Sequence, residues 1–235
     1  SLSRILAEGG DRIAEIEERG KDSLAAALMG AEKAESCKLL GRAVQDPQSV
    51  TWKTPAYHSD RYSNLLYACL RELFIKNDNL LMIGEDIEDD YGGAFKISRD
   101  LSSLFSGRVS NTPISEAAIT GVGSGLALGG FLPIVEIMFG DFLTLTFDQL
   151  LQHASKFETM YNGQVKIPMI VRTPMGGRRG YGPTHSQSIE AFFLGIPNLD
   201  VFALNIRVAP EAIYQPLMDP SRPPALVIEN KVLYT

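Results

Sequence analysis

The spacing of apolar residues changes character along the chain. Over 3–44, Leu6, Ile13 and Ile16 alternate with Glu8, Asp11, Glu15, Glu17 and Glu18, and 25–34 continues with strong helix formers, so this segment reads as helix. Gly20 and Gly30 are points where it kinks or breaks, and its narrow apolar stripe suits docking on something larger. Asp46-Pro47-Gln48-Ser49 and Lys53-Thr54-Pro55 then punctuate a linker over 45–59. From Asp60 onward, amphipathic stretches alternate with short, almost wholly apolar runs. Helices are expected at 61–77, 98–105, 116–130, 142–157, 187–194 and 209–217; strands are expected at 80–84, 108–110, 133–138, 167–172, 200–203 and 225–229. This order predicts an α/β fold with a three-layer, doubly wound, mostly parallel sheet over 60–235, preceded by an N-terminal helical extension over 1–44. In such sheets ligands sit at the carboxyl ends of the strands.

Polar residues collect at those ends. Glu85 and Asp86 follow the first strand, Glu116 the second, Phe139-Gly140-Asp141-Phe142 the third, and Arg172 through His185 the fourth. Glu116 opens the least polar helix of the chain, after which no charged residue occurs until Glu136. Glycines at 121, 123 and 125 make that helix thin enough for a backbone or a flat ligand to approach. A carboxylate at the mouth of an apolar helix is expected to be poorly solvated and basic, which suits proton exchange with a heterocycle. Local sequence also fits a plainer role: Thr112 or Ser115 as N-cap, Pro113 in the first turn, and Glu116 complementing the helix dipole for roughly 0.3–1 kcal/mol. The convergence of four elements on one rim favours the first reading. Phe142 fits either stacking on a heterocycle or core packing. The glycine-rich loop 174–183, with Arg178 and Arg179, fits either an anion cradle or a surface loop. His185 lies among glycines and hydroxyls, where an imidazole can serve as acid or base; His58 and His153 read as structural or solvated.

Composition narrows the classes. With 45% hydrophobic and 21% charged residues the chain can bury a sizeable core, and a net charge of −6 without Lys/Arg runs argues against a nucleic-acid surface. Cys37 and Cys69 form neither a disulfide framework nor a metal-ligand spacing, so no metal ligand set is assigned and reduced thiols in a cytoplasmic protein are expected. No run of 18 apolar residues predicts a membrane span. No Gly-Lys-Ser/Thr follows the glycine-rich loop, Gly121–Gly125 lacks a dinucleotide register, and no Gly-x-Ser-x-Gly elbow occurs.

Several segments in order carry a family likeness: Gly84-Glu85-Asp86-Ile87, Tyr91-Gly92-Gly93-Ala94-Phe95-Lys96, Asn111-Thr112-Pro113-Ile114-Ser115-Glu116, Phe147-Asp148-Gln149, His185-Ser186-Gln187, Pro197-Asn198-Leu199-Asp200-Val201 and Val227-Ile228-Glu229-Asn230. Over 60–235 the chain resembles the β-subunit pyrimidine-binding domain of the thiamine-diphosphate-dependent, decarboxylating component of 2-oxoacid (pyruvate or branched-chain) dehydrogenase complexes, an oxidoreductase. The resemblance implies that Glu116 hydrogen-bonds N1′ of the cofactor's aminopyrimidine and promotes its imino tautomer. It implies that Phe142 lies against the pyrimidine, that Ile114 and Met138 form apolar walls, and that Glu85 lies in a polar region between cofactor sites. His185 matches a histidine implicated in proton handling during reductive acylation of the lipoyl group. The implied partners are an α-type domain carrying the diphosphate- and Mg²⁺-binding half, the lipoyl domain of the acyltransferase component, and further copies in a homodimer or α2β2-like assembly. No Gly-Asp-Gly plus Asn metal segment occurs here, and residues 1–44 resemble α-subunit tail helices, as in a fused chain cut at both ends, with the family's C-terminal domain absent. This fragment is accordingly expected to be inactive alone. The family's monovalent-cation site falls near 218–223, where Asp219-Pro220-Ser221-Arg222-Pro223-Pro224 departs from the pattern. Two rival readings are a transketolase-like or deoxyxylulose-phosphate-synthase-like carboligase and a non-catalytic scaffold dimerising through the glycine-rich helix.

Overall fold

A computed structural model describes residues 60–177 and 180–234. The expected helical tail at 1–44 and linker at 45–59 lie outside the described residues. Helix α1 (Tyr62–Lys76) places Leu66, Leu70, Leu73 and Phe74 on one buried face, the spacing that marked it in the sequence. Strand β1 (Leu80–Gly84) follows, then the short helix α2 (Leu101–Leu104) and strand β2 (Val109–Asn111). Helix α3 (Glu116–Leu128) leads to β3 (Leu132–Glu136). After a 3₁₀ turn at Gly140–Phe142 come helix α4 (Leu143–Asp148), a wider π turn at Gln149–Ala154 and helix α5 (Phe157–Met160). Strands β4 (Ile170–Met175) and β5 (Asp200–Ala203), helix α6 (Pro210–Tyr214) and strand β6 (Ala225–Asn230) complete the order.

The six strands form one sheet in the order β2-β1-β3-β4-β6-β5, and every neighbouring pair is parallel. Successive residues point to opposite faces, and the two faces bury different sets. Leu80, Met82, Ile134, Ile170 and Val227 pack with α1 and Tyr214 of α6; Ile83, Val135, Val171, Leu226 and Ile228 pack with Ile119 of α3 and Leu143 of α4. The three-layer parallel α/β architecture expected from the sequence is the observed one. Helix α3 lies close on the sheet because position 123 is glycine: a Cβ there would meet Val135 at 2.5 Å and Met169 at 2.6 Å.

Some elements differ from expectation for identifiable reasons. The fourth strand starts later than the sequence suggests, since Pro168 cannot donate to a ladder, and it runs on through Pro174 to Met175, paired with β6. The expected helix at 142–157 is broken into α4, the π turn and α5. The one at 187–194 contracts to a 3₁₀ turn at Glu190–Phe192. Helix α6 stops before Pro216, whose ring and missing N–H do not continue an α-helix. The chain steps from β1 outward to β2, then returns to place β3 on the other side of β1. The strand order therefore reverses between β1 and β3, the switch point beyond whose carboxyl ends doubly wound sheets take their ligands.

Candidate active site

The first corner of the rim beyond these strand ends is acidic. The end of β1 approaches β3 closely, and Gly84 makes this possible: a Cβ there would lie 2.9 Å from both Cβ and the carbonyl oxygen of Glu136. The segment entering α3 is tied to the β1 end by Thr112 N–H donating to the Gly84 carbonyl at 2.9 Å. A reciprocal pair adds to this, with Asn111 N–H donating to Glu88 at 2.9 Å and Glu88 N–H donating to the Asn111 side chain at 3.0 Å. Glu116 is therefore held at the first position of α3, and its side chain is buried. Ser115 occupies the N-cap position without a side-chain capping bond. Glu85 lies beside Glu116, and its carboxyl is pushed above the usual range by burial, then by the charges of Glu116 and Asp86, with the Ser115 backbone N–H opposing. Glu85 Oε1 and Thr112 Oγ1 are buried without a hydrogen-bond partner among the described residues. Unpaired buried polar atoms are costly, and these two lie on the segments neighbouring Glu116.

The second corner is aromatic. After β3, the 3₁₀ turn presents Phe142, half-buried, and the glycine at 140 allows Met175 to lie where a Cβ would collide at 2.7 Å. The His185 ring stands edge-on to Phe139 at 4.8 Å and to Phe142 at 5.2 Å between centroids. Its Nδ1 lies 2.8 Å from Thr184 Oγ1. The loop carrying His185 is anchored beyond it, where Gln187 Nε2 donates to Asp141 Oδ1 at 2.9 Å and Gly176 N–H donates to the Gln187 carbonyl at 3.2 Å. Asp141 is buried, and its second oxygen, Oδ2, has no partner among the described residues.

Beneath both corners runs a buried ion network. Arg172 of β4 pairs with Glu136 of β3 through Nη1, and with Glu229 of β6 through Nε at 3.0 Å and Nη2 at 2.5 Å. Tyr214 donates to Glu229 Oε1 at 2.5 Å, and Tyr234 donates to Glu229 Oε2. Burial raises the Glu136 carboxyl against the pull of Arg172. At Glu229 burial is outweighed by Arg172 and the two tyrosines, and the carboxyl falls below its ordinary value. The Arg172 guanidinium is driven far upward by its two carboxylates despite its burial.

Of the residues singled out in the sequence, Glu85 and Glu116 share one corner, and Phe142 and His185 share the other. Met138 is half-buried on the turn between β3 and Phe139, whereas Ile114 is 84% exposed just before α3. Sequence reasoning missed the Arg172 network, Asp141 as an anchor for the histidine loop, and Lys231. A signal existed: Glu136, Arg172 and Glu229 are each a lone charge in an otherwise apolar strand. Among the described residues no cluster of three or more His, Cys, Asp or Glu could hold a metal ion, and no helix is long and apolar enough to cross a membrane.

Residues 60–235 match the family described as transketolase, pyrimidine binding domain. The chain is 34% identical over 181 residues to pyruvate dehydrogenase E1 component subunit beta-4, chloroplastic, of Oryza sativa subsp. japonica, covering 75% of this chain and 45% of that protein. It is 36% identical over 139 residues to pyruvate dehydrogenase E1 component subunit beta of Leifsonia xyli subsp. xyli, covering 59% and 41%. It is 33% identical over 171 residues to the mitochondrial beta-1 subunit of Arabidopsis thaliana, covering 72% and 46%. The chain thus spans about half the length of these curated relatives. Among solved structures, "Split gene transketolase, inactive beta4 tetramer" has the same fold, with a TM-score of 0.54 at 20% identity, covering 72% of this chain and 50% of that one.

Proposed function

The chain belongs to the transketolase pyrimidine-binding domain family, and from this premise and the rim geometry we propose that it forms the aminopyrimidine half of a thiamine diphosphate site in a 2-oxoacid dehydrogenase decarboxylating component. The observation that carries the reading is a buried Glu116 at the head of α3, with buried, unpaired polar atoms of Glu85 and Thr112 on the neighbouring segments. That donor and acceptor set fits a flat, nitrogen-rich ring. When bound, thiamine diphosphate supplies the carbanion-stabilising chemistry of 2-oxoacid decarboxylation.

The chain's own residues supply position and proton control. With the cofactor bound, Glu116 would hold a proton at a pyrimidine ring nitrogen, in a setting where burial strengthens the bond. Glu85 takes part of the acidic charge off this corner by retaining its own proton to higher pH. Phe142 gives the ring an apolar wall, with Met138 next to it. His185, held edge-on between two phenylalanines, moves protons during acyl transfer to a lipoyl group carried by a separate domain. The diphosphate and Mg²⁺ belong to an α-type partner domain. The apolar side chains exposed on α3, Val122 at 54% and Leu128 at 49%, are the surface for that partner or for another copy.

The test is turnover after mixing the chain with an α-type partner, Mg²⁺ and thiamine diphosphate, with pyruvate and 2-oxoisovalerate compared as substrates. The chain alone should not decarboxylate either acid. The mixture should, and Glu116→Gln should lower kcat by roughly 10²–10⁴-fold. Turnover by the chain alone, or an unimpaired Glu116→Gln variant, would remove the proposal.

A further inference from the structure

We infer that Lys231 is a positioning residue for His185, acting through the backbone of the loop that carries the imidazole. Lys231 opens the 3₁₀ turn Lys231–Tyr234 directly after β6 and is completely buried. A buried ammonium requires compensating partners. Its Nζ donates to the backbone carbonyl of His185, 46 residues earlier in the chain. The same ammonium lies 4.9 Å from the centroid of Phe139 and 5.1 Å from that of Tyr181. Two aromatic faces and a carbonyl dipole are among the groups that receive the charge.

Phe139 links this arrangement to the imidazole. It accepts the ammonium and also packs edge-on to the His185 ring at 4.8 Å. Its place is fixed in turn by Phe95 at 5.7 Å and Tyr181 at 5.4 Å. The other ties of this loop lie elsewhere: Gly176 and Gln187 close its stem, and Gln187 is bound to Asp141. The His185 N–H bond to the Gly182 carbonyl is long, at 3.4 Å. Lys231 therefore fixes the backbone at the residue whose side chain matters, while Asp141 fixes it two residues further on. Removing the ammonium leaves the Phe139 and Tyr181 rings in place but frees the His185 carbonyl, so the imidazole loses its fixed angle to Phe142.

The inference rests on the proposed proton-handling role of His185, and the experiment keeps the two claims apart. Ring-proton resonances of His185 in the full chain are measured by NMR, assigned with His185→Ala, together with amide exchange of Gly176, His185 and Gln187. In the parent chain the ring protons are displaced by the ring currents of Phe139 and Phe142. Lys231→Met should remove more than half of that displacement and speed loop amide exchange about tenfold, and Lys231→Arg should restore part of both. A core variant of similar destabilisation, Leu66→Ala, should move neither. If Lys231→Met does not fold, Lys231→Leu, which also removes the donor to the His185 carbonyl, is read instead and should reduce the displacement. Unchanged His185 resonances in whichever variant folds would overturn the positioning role. If the ring is released as expected but His185→Ala leaves acyl transfer in the reconstituted mixture unchanged, the proton-handling role fails and the positioning result stands.

Discussion

Glu85 shows how one side chain at the proposed site sets the pH dependence of stability. Its carboxyl titrates above its ordinary value, chiefly through burial and next through the charge of Glu116. A raised carboxyl binds its proton more tightly in the folded than in the unfolded chain. Folding stability is therefore fully supported below the unfolded value and declines as pH rises through the folded one. Glu85→Gln removes that decline: thermal melts should show a higher Tm than the parent at pH 7 and little difference at pH 4. A variant less stable than the parent at pH 7 would contradict the assignment. Glu85 and Glu116 were legible in the sequence because each is a charge placed directly beyond an apolar strand or before an apolar helix. The pairing of Arg172 with Glu136 and Glu229 was not legible, since those partners lie 36 and 57 residues away. Their meeting depends on β4 lying between β3 and β6. Lys231 was missed for the same reason, as its partners are a loop carbonyl and two rings from distant segments.

At the scale of elements, α2 shows a short helix stabilised from outside itself. Asp100 stands at its N-cap in the left-handed region, with φ at 63°, and forms no side-chain cap bond. The cap comes from Asp89, which accepts from Asp100 N–H at 2.6 Å, from Ser103 N–H at 2.9 Å, and from the hydroxyls of Ser102 at 2.7 Å and Ser103 at 2.6 Å. These bonds outweigh the opposing effect of burial and hold the Asp89 carboxyl at about 2, below its ordinary 3.8. A depressed carboxyl stabilises the fold above its unfolded value, and the contribution disappears as pH falls through the folded one. Asp89→Ala should therefore cost about 1 kcal/mol at pH 7, typical of a lost cap. The difference from the parent should shrink between pH 4 and pH 2; a difference independent of pH would refute the capping role. Helices and strands with strong periodicity, such as α1 and β1, matched their sequence ranges within a residue or two. Those governed by proline or by a change of helical pitch, β4 and the α4 region, were displaced or divided.

At the scale of the whole molecule, a parallel sheet with a switch point between β1 and β3 gathers one acidic and one aromatic corner on the same rim. The acidic corner was readable from the sequence, since Glu85 and Glu116 each border a strand or helix with a clear pattern. The aromatic corner was readable in part: Phe142 and His185 stood out, but Phe95, Phe139 and Tyr181 join them only through the fold. Val122 and Leu128 leave apolar surface exposed on α3, which the proposed partner would cover. The most direct test is a structure of the chain bound to an α-type partner, thiamine diphosphate and Mg²⁺. A Glu116 carboxylate oxygen should lie within hydrogen-bond distance, about 2.6–3.0 Å, of a pyrimidine ring nitrogen. A Glu116 side chain more than about 4 Å from the ring, with no bridging water, would contradict it.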